Sequence, residues 1–299
     1  MNFVLTLIAN PTNPILDPST AATASRALVQ AGADAGDVAW LAPDVACDIP
    51  FAGIAAKAAE QAVRATLMGK PIDLVAQEPE GRRKRLLIAD MDSTMVVGET
   101  LDAFAAEVGF GERIAAITAR SMRGELDFAE ALRERIAILK GSPAALLCKV
   151  RDAMQPMQGA NILVTTMRKS GARSLLVSGG FRVFTAHARA LIGFDEDRGN
   201  ELEISDGVLT GKVVEPILGR DTKLETLRAE AARLGLALAA AMAVGDGAND
   251  LAMIQAAGMG VAFQAKPITA TAARARVDHG DLTALLYIQG FRREEFVEA

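Results

Sequence analysis

Two stretches of the chain end an apolar run in closely spaced carboxylates. In the first, Arg85-Leu-Leu-Ile-Ala leads into Asp90-Met-Asp92-Ser-Thr94. Strand side chains alternate with period two, so at the C-terminal end of a strand Asp90 and Asp92 can aim at one site. One carboxylate there suits a nucleophile and the other a general acid and base. Taken alone, the tripeptide fits a solvated turn about as well. The second run, Ala237-Leu-Ala-Ala-Ala-Met-Ala-Val244, delivers Gly245-Asp246-Gly247-Ala248-Asn249-Asp250-Leu251. Its small residues let the backbone come close to a ligand. Between the two, Ser174-Leu-Leu-Val177 leads into Ser178-Gly179-Gly180, a hydroxyl and two flexible amides suited to holding phosphate oxygens.

The elements that must position these groups follow from periodicity. Strand patterns at 86–89, 174–177, 237–244, 259–262 and near Val277 alternate with helical patterns at 183–191 and 222–234. That alternation predicts an α/β fold with a doubly wound parallel sheet, whose ligands bind at the C-terminal ends of the strands. Segments 201–204 and 208–214 around Ser205-Asp206-Gly207 predict a hairpin. From Glu99 to about Met154 apolar residues recur at three and four spacings, as in Leu101-Phe104, Ile114-Ile117 and Leu132-Ile136-Leu139. This segment is expected to form a helical cap, roughly 95–157, over the pocket mouth. Residues 1–79 read as strand (3–9), helix (19–31), strand (38–42), a short strand near Ile49, helix (53–68) and strand (72–76). Such an order predicts a small α+β domain of the ferredoxin-like or ACT-like kind, with residues 80–299 as a second domain.

At 299 residues, 51% of them hydrophobic, the chain can bury two cores. Its longest apolar run, Gly235 to Gly245, is far too short to span a bilayer, and no basic segment precedes an apolar stretch at Met1. No membrane association and no secretory signal are therefore expected. Cys47 and Cys148 are far apart and outside any metal spacing, which fits reduced thiols in the cytoplasm. A net charge of −5 argues against a nucleic-acid partner. The basic run Arg82-Arg-Lys-Arg85 is expected to be a solvated linker between the domains.

Taken in order, Asp90-Met-Asp92-Ser-Thr, Arg123-Gly-Glu-Leu-Asp-Phe128, Leu132-Arg-Glu-Arg135, Val177-Ser-Gly-Gly180, Asn200-Glu-Leu-Glu203 and Gly245-Asp-Gly-Ala-Asn-Asp-Leu251 resemble the haloacid dehalogenase superfamily, and within it the phosphoserine phosphatase family. The resemblance covers roughly residues 80 to 290, and residues 1–79 carry no such words. It implies a Rossmann-type core and hydrolysis of a small phosphomonoester, phosphoserine, through an aspartyl phosphate on Asp90, with Asp92 as acid and base. A dianionic phosphate facing several carboxylates requires a cation, and oxygen ligands without nearby His or Cys indicate Mg²⁺. By resemblance, Asp90, Asp246 and the Asp92 backbone carbonyl hold it, with Asp250 contributing directly or from behind. The resemblance further assigns Lys223 to phosphate, Glu99 and Arg135 to the substrate's ammonium and carboxylate, Met122 and Phe128 to the pocket wall, and Ser178, Gly180 and Asn249 to phosphate or substrate. Alternatives stay open. They are another phosphomonoester such as phosphohomoserine, phosphotransfer to an acceptor alcohol, or an amino-acid-sensing protein with a vestigial phosphatase core. A homodimer stays open, with residues 1–79 as a regulatory or dimerising unit.

Overall fold

The computed structural model describes residues 1–122 and 125–298, without the side chains of Met122 and Arg220. The first part of the chain runs β1 (Phe3–Ala9), α1 (Pro18–Gln30), β2 (Asp34–Ala35), β3 (Ala39–Ala42), β4 (Ala46–Ala52), α2 (Ala56–Thr66) and β5 (Ile72–Gln77). Asp17 sets the start of α1: its carboxylate accepts the Thr20 N–H at 2.7 Å, and Pro18 fills the first turn, where a missing N–H costs nothing. These strands form an antiparallel sheet in the order β2-β4-β1-β5, with β3 also paired to β4. The two-residue β2 carries no readable pattern, and the strand foreseen near Ile49 extends over seven residues.

Both faces of this sheet are covered. Leu5, Leu7, Cys47 and Ile49 pack with Leu28 of α1 and Val63 of α2. Ile8, Ala46 and Val75 join a different cluster that contains Leu285, Tyr287 and Phe291 near the other end of the chain. Burial on both sides explains why β1 reads as an almost unbroken apolar run.

The larger sheet begins with β6 (Leu86–Ala89) and continues, after five helices, with β7 (Arg173–Phe181). Those helices are α3 (Thr100–Glu107), α4 (Gly111–Met122), α5 (Phe128–Ile138), α6 (Ala145–Asp152) and α7 (Ala160–Lys169). The chain then forms α8 (Arg182–Ile192), β8 (Glu196–Ser205), β9 (Val208–Val214), α9 (Arg220–Arg233), β10 (Ala241–Gly245) and α10 (Leu251–Ala256). It closes with β11 (Met259–Phe263), α11 (Pro267–Ala272), β12 (Ala275–Val277) and α12 (Ala284–Ile288). Strand order is β12-β11-β10-β6-β7-β8-β9, parallel except for the β8–β9 hairpin, whose turn residues Asp206 and Gly207 have positive φ. Side chains alternate as a two-sided sheet requires. Leu86, Ile88, Leu175 and Val177 pack toward Leu227 of α9, while Leu87, Leu176 and Val244 face the opposite core. The order reverses around β6, so a crevice opens at the C-terminal ends of β6, β7 and β10.

Two expectations change. The strand expected at 174–177 runs on through Ser178-Gly179-Gly180 to Phe181, so those residues lie inside β7. The basic run is no solvated linker either. Arg82 pairs with Asp48 at 2.8 Å, both about 11% exposed, and donates to the Tyr287 and Ile288 carbonyls. Arg83 stacks on Phe291 at 4.1 Å and pairs with Glu295 at 2.7 Å. Charge pattern alone cannot show this, because the partners are distant in sequence.

Candidate active site

Asp90 follows β6 directly, and its N–H donates to the Val244 carbonyl of β10 at 3.0 Å, which ties the two acid-bearing strand ends together. The chain then turns sharply. Ser93 takes a positive φ of 55°, and the N–H groups of Met95 and Val96 donate to the Met91 carbonyl at 2.8 and 3.0 Å. Buried Met91, Met95 and Val96 anchor this turn in the core, fixing where Asp90 and Asp92 point. On β10, Gly245 permits the approach of Asp250, since a Cβ there would collide with the Asp250 carboxylate.

Lys223 in the first turn of α9 is buried, and its Nζ lies 2.6 Å from both Asp90 Oδ1 and Asp250 Oδ1. Burial alone would lower its pKa, but the Asp250 and Asp90 carboxylates outweigh that and hold it above the usual lysine range. Asp250 has its other oxygen on the Gly247 N–H at 3.0 Å, so both its oxygens are engaged within the protein. Carboxylate oxygens of Asp90, Asp246 and Asp250 can all lie within 4.8 Å of one another. Burial, reinforced by Asp90, raises the Asp246 pKa, and Lys266 and Lys223 oppose the shift. Packed hard oxygen donors carrying mutual repulsion fit a small divalent cation, which would sit at Asp90 and Asp246 with Asp250 behind them. The Asp92 side chain stands apart from this cluster.

Asp92 Oδ1 accepts the Thr100 N–H at 2.8 Å, and Oδ2 faces the Ser178 hydroxyl at 3.5 Å. Burial pushes its carboxyl up to about 7; the Thr100 hydrogen bond opposes this, and Glu99 and Asp90 add to it. Ser178 is itself held by the Gly180 N–H, which donates to its Oγ at 2.9 Å.

The surrounding cavity measures about 150 Å³ and is lined by Asp90, Asp92, Glu99, Phe128, Arg135, Ser178, Gly180, Asp246 and Asn249. Thr100, Leu101, Leu132, Gly179, Phe181 and Lys266 complete the lining. Helix α5 delivers three of these side chains from one face, Phe128 at its start, Leu132 one turn on and Arg135 two turns on. A capping box secures that start: Asp127 accepts the Glu130 N–H at 2.7 Å, and the Glu130 carboxylate accepts the Asp127 N–H at 3.2 Å. The Phe128 ring lies directly on Gly179, where a Cβ would come within 2.6 Å of it. Glu99 accepts the Ser93 hydroxyl at 2.8 Å, and burial raises its pKa despite that bond. Burial lowers the Arg135 pKa, with Asp102 and Glu99 opposing. Its Nε donates to the Ala131 carbonyl at 3.2 Å.

Of the residues singled out from sequence, Lys223 and Asp250 lie behind the cavity wall rather than in its lining. Arg123, Gly124 and the Met122 side chain fall outside the described residues. Sequence reasoning missed Thr100 and Lys266. The signal available for Lys266 was its place just past a parallel strand, β11, beside the other strand ends.

All of the site's residues but Lys266 fall within a recognised sequence pattern: that of haloacid dehalogenase-like hydrolases matches residues 87–255. Phosphoserine phosphatase of Streptomyces coelicolor is 39% identical over 291 residues, which are 96% of this chain and 70% of that protein. Among solved structures, a HAD family hydrolase of Salmonella enterica superposes with a TM-score of 0.82 at 28% identity, over 96% of this chain and 98% of its own. A probable phosphoserine phosphatase of Vibrio cholerae gives 0.78 at 27% identity, over 98% and 88%. Whole-chain likeness in sequence and in fold thus joins the strand-end acids, and the chain belongs to the haloacid dehalogenase-like hydrolases, in their phosphoserine phosphatase branch.

Proposed function

We infer that the chain hydrolyses O-phospho-L-serine to L-serine and phosphate, with Asp90 as nucleophile and Asp92 as general acid and base. One observation carries the reading. A single cavity is lined by Asp90, Asp92 and Asp246 from the strand ends and, from the cap segment, by one anion and one cation, Glu99 and Arg135. A phosphorylated amino acid offers an ammonium and a carboxylate to match that pair.

Asp90 acts as nucleophile through a carboxylate oxygen. Its attack on phosphorus forms the Asp90–phosphorus bond and breaks the bond to the serine oxygen. Asp92, with its pKa raised to about 7, donates the proton that the departing oxygen takes up. As a carboxylate it then accepts a proton from the water that opens the aspartyl phosphate. Asp90 and Asp246 would hold Mg²⁺, which when bound supplies neutralisation of phosphate charge and a fixed orientation. Lys223 keeps Asp90 in place, and the Ser178 hydroxyl with the β7 amides offers donors to phosphate oxygens. Helices α3 to α5 act as the cap that selects the substrate.

The test is phosphate release from a panel of phosphorylated metabolites with Mg²⁺, with and without acceptor alcohols. Preference for phosphoserine is expected. A preference for phosphohomoserine, or transfer to homoserine outpacing hydrolysis, would replace this reading.

A further inference from the structure

The mechanism above leaves one pocket-lining cation without a role. Lys266 caps α11 just past β11, and its backbone is fixed from both sides. Its N–H donates to the Asp246 carbonyl at 3.1 Å, and its own carbonyl accepts the Thr269 and Ala270 N–H groups at 3.0 Å each. The side chain crosses the cavity rim so that Nζ stands 3.7 Å from Asp246 Oδ2 while remaining about half exposed. Its charge is felt by Glu99 as well as by Asp246. Arg135 is already assigned to the substrate's carboxylate, and Lys223 is committed to Asp90 and Asp250. Lys266 is therefore a cation at the rim whose side chain makes no hydrogen bond among the described residues.

We propose that Lys266 is a positioning residue that sets how the pocket divides its attraction between the metal cation and the anionic phosphate. This rests on the phosphatase reading. The ammonium competes with a divalent ion for Asp246 and repels it, which weakens metal binding. The same charge attracts a phosphate dianion into a cavity otherwise rich in carboxylates. The two effects have opposite signs, a pattern that loss of local structure does not produce. Two unit charges about 4 Å apart in a water-like medium change an equilibrium about fivefold, and salt screens an exposed group strongly.

The experiment compares wild type, Lys266→Met and Lys266→Arg as full chains. Mg²⁺ affinity is read by calorimetry without substrate, and inhibition by inorganic phosphate at saturating Mg²⁺, both at low and high ionic strength. At low salt Lys266→Met is expected to bind Mg²⁺ about fivefold more tightly and phosphate about fivefold more weakly. Lys266→Arg should restore both, and high salt should shrink both differences. Two affinities that weaken together, or neither changing, would overturn the inference while leaving a wild-type phosphoserine phosphatase intact. Wild type that binds no Mg²⁺ and ignores phosphate would overturn the catalytic reading and the inference with it.

Discussion

Asp90 and Asp92 are two residues apart, yet the structure gives them different surroundings, and their substitutions should differ accordingly. Asp90 touches Lys223 and the acid cluster, so Asp90→Asn should abolish turnover with the fold retained, as read by phosphate release beside circular dichroism. Asp92 touches Thr100 and Ser178 and has a raised pKa. A carboxyl donates only while protonated, so the proton needed by the serine oxygen is available below about pH 7 and is lost as pH rises through that value. Phosphoenzyme formation from phosphoserine, measured in single turnovers at fixed Mg²⁺, should therefore fall on the alkaline side. An aryl phosphate, whose leaving group needs no proton, should lack that limb. A common limb for both substrates would remove Asp92 from the acid role. Among the other lining residues, Arg135→Ala should penalise phosphoserine far more than phosphoethanolamine, which has no carboxylate. Truncating one partner of a buried charged pair typically costs about 2 to 5 kcal/mol. Equal loss on both substrates would make Arg135 a structural member of α5.

At the scale of elements, α5 is the part on which selectivity depends, because it carries Phe128 and Arg135 from a start fixed by Asp127 and Glu130. Removing an N-cap side chain costs about 1 kcal/mol. Asp127→Ala should thus lower the melting temperature by a few degrees and raise KM for phosphoserine more than it lowers kcat. If kcat alone changed, the helix start would be acting on the chemistry itself. The loop after β10 depends on a different constraint, the missing side chain at Gly245. Gly245→Ala would push against the buried Asp250 carboxylate and, through it, Lys223 and Asp90. It is expected to weaken Mg²⁺ binding and turnover together, checked by metal titration and assay. Chelation should likewise remove activity, and added Mg²⁺ should restore it.

Across the whole molecule, the amino-terminal sheet is stitched to the larger one by buried polar contacts as well as by apolar packing. Asp73 of β5 accepts the N–H groups of Asp278, His279 and Gly280, and Gln77 donates to the Ile288 carbonyl at 2.6 Å. Arg82 bridges Asp48 on β4 to the end of α12. Taking one partner from a buried ion pair costs about 3 to 5 kcal/mol, because the other charge is left uncompensated. Arg82→Met should therefore destabilise the protein by about 3 kcal/mol in denaturant melts. Because Ile8 and Val75 share a core with Tyr287, the two sheets should still unfold in one transition. Two separated transitions in wild type would show that the sheets are energetically independent. No helix among the described residues is long and apolar enough to cross a membrane.

The sequence by itself determined the alternating strands and helices of the larger sheet, and the acids at the ends of β6 and β10. Period-two burial and strand-end placement are local properties, and a chain writes them in consecutive residues. The paired helices and strands of the amino-terminal sheet were legible for the same reason, save for β2, too short to show a period. Tertiary structure alone decided that Lys223 bridges Asp90 and Asp250, that Thr100 holds Asp92, and that Lys266 faces Asp246. It also turned Arg82 from an apparent linker cation into a buried anchor. Each of these joins residues on different elements, and an ion pair or hydrogen bond depends on a distance in space that sequence spacing does not encode.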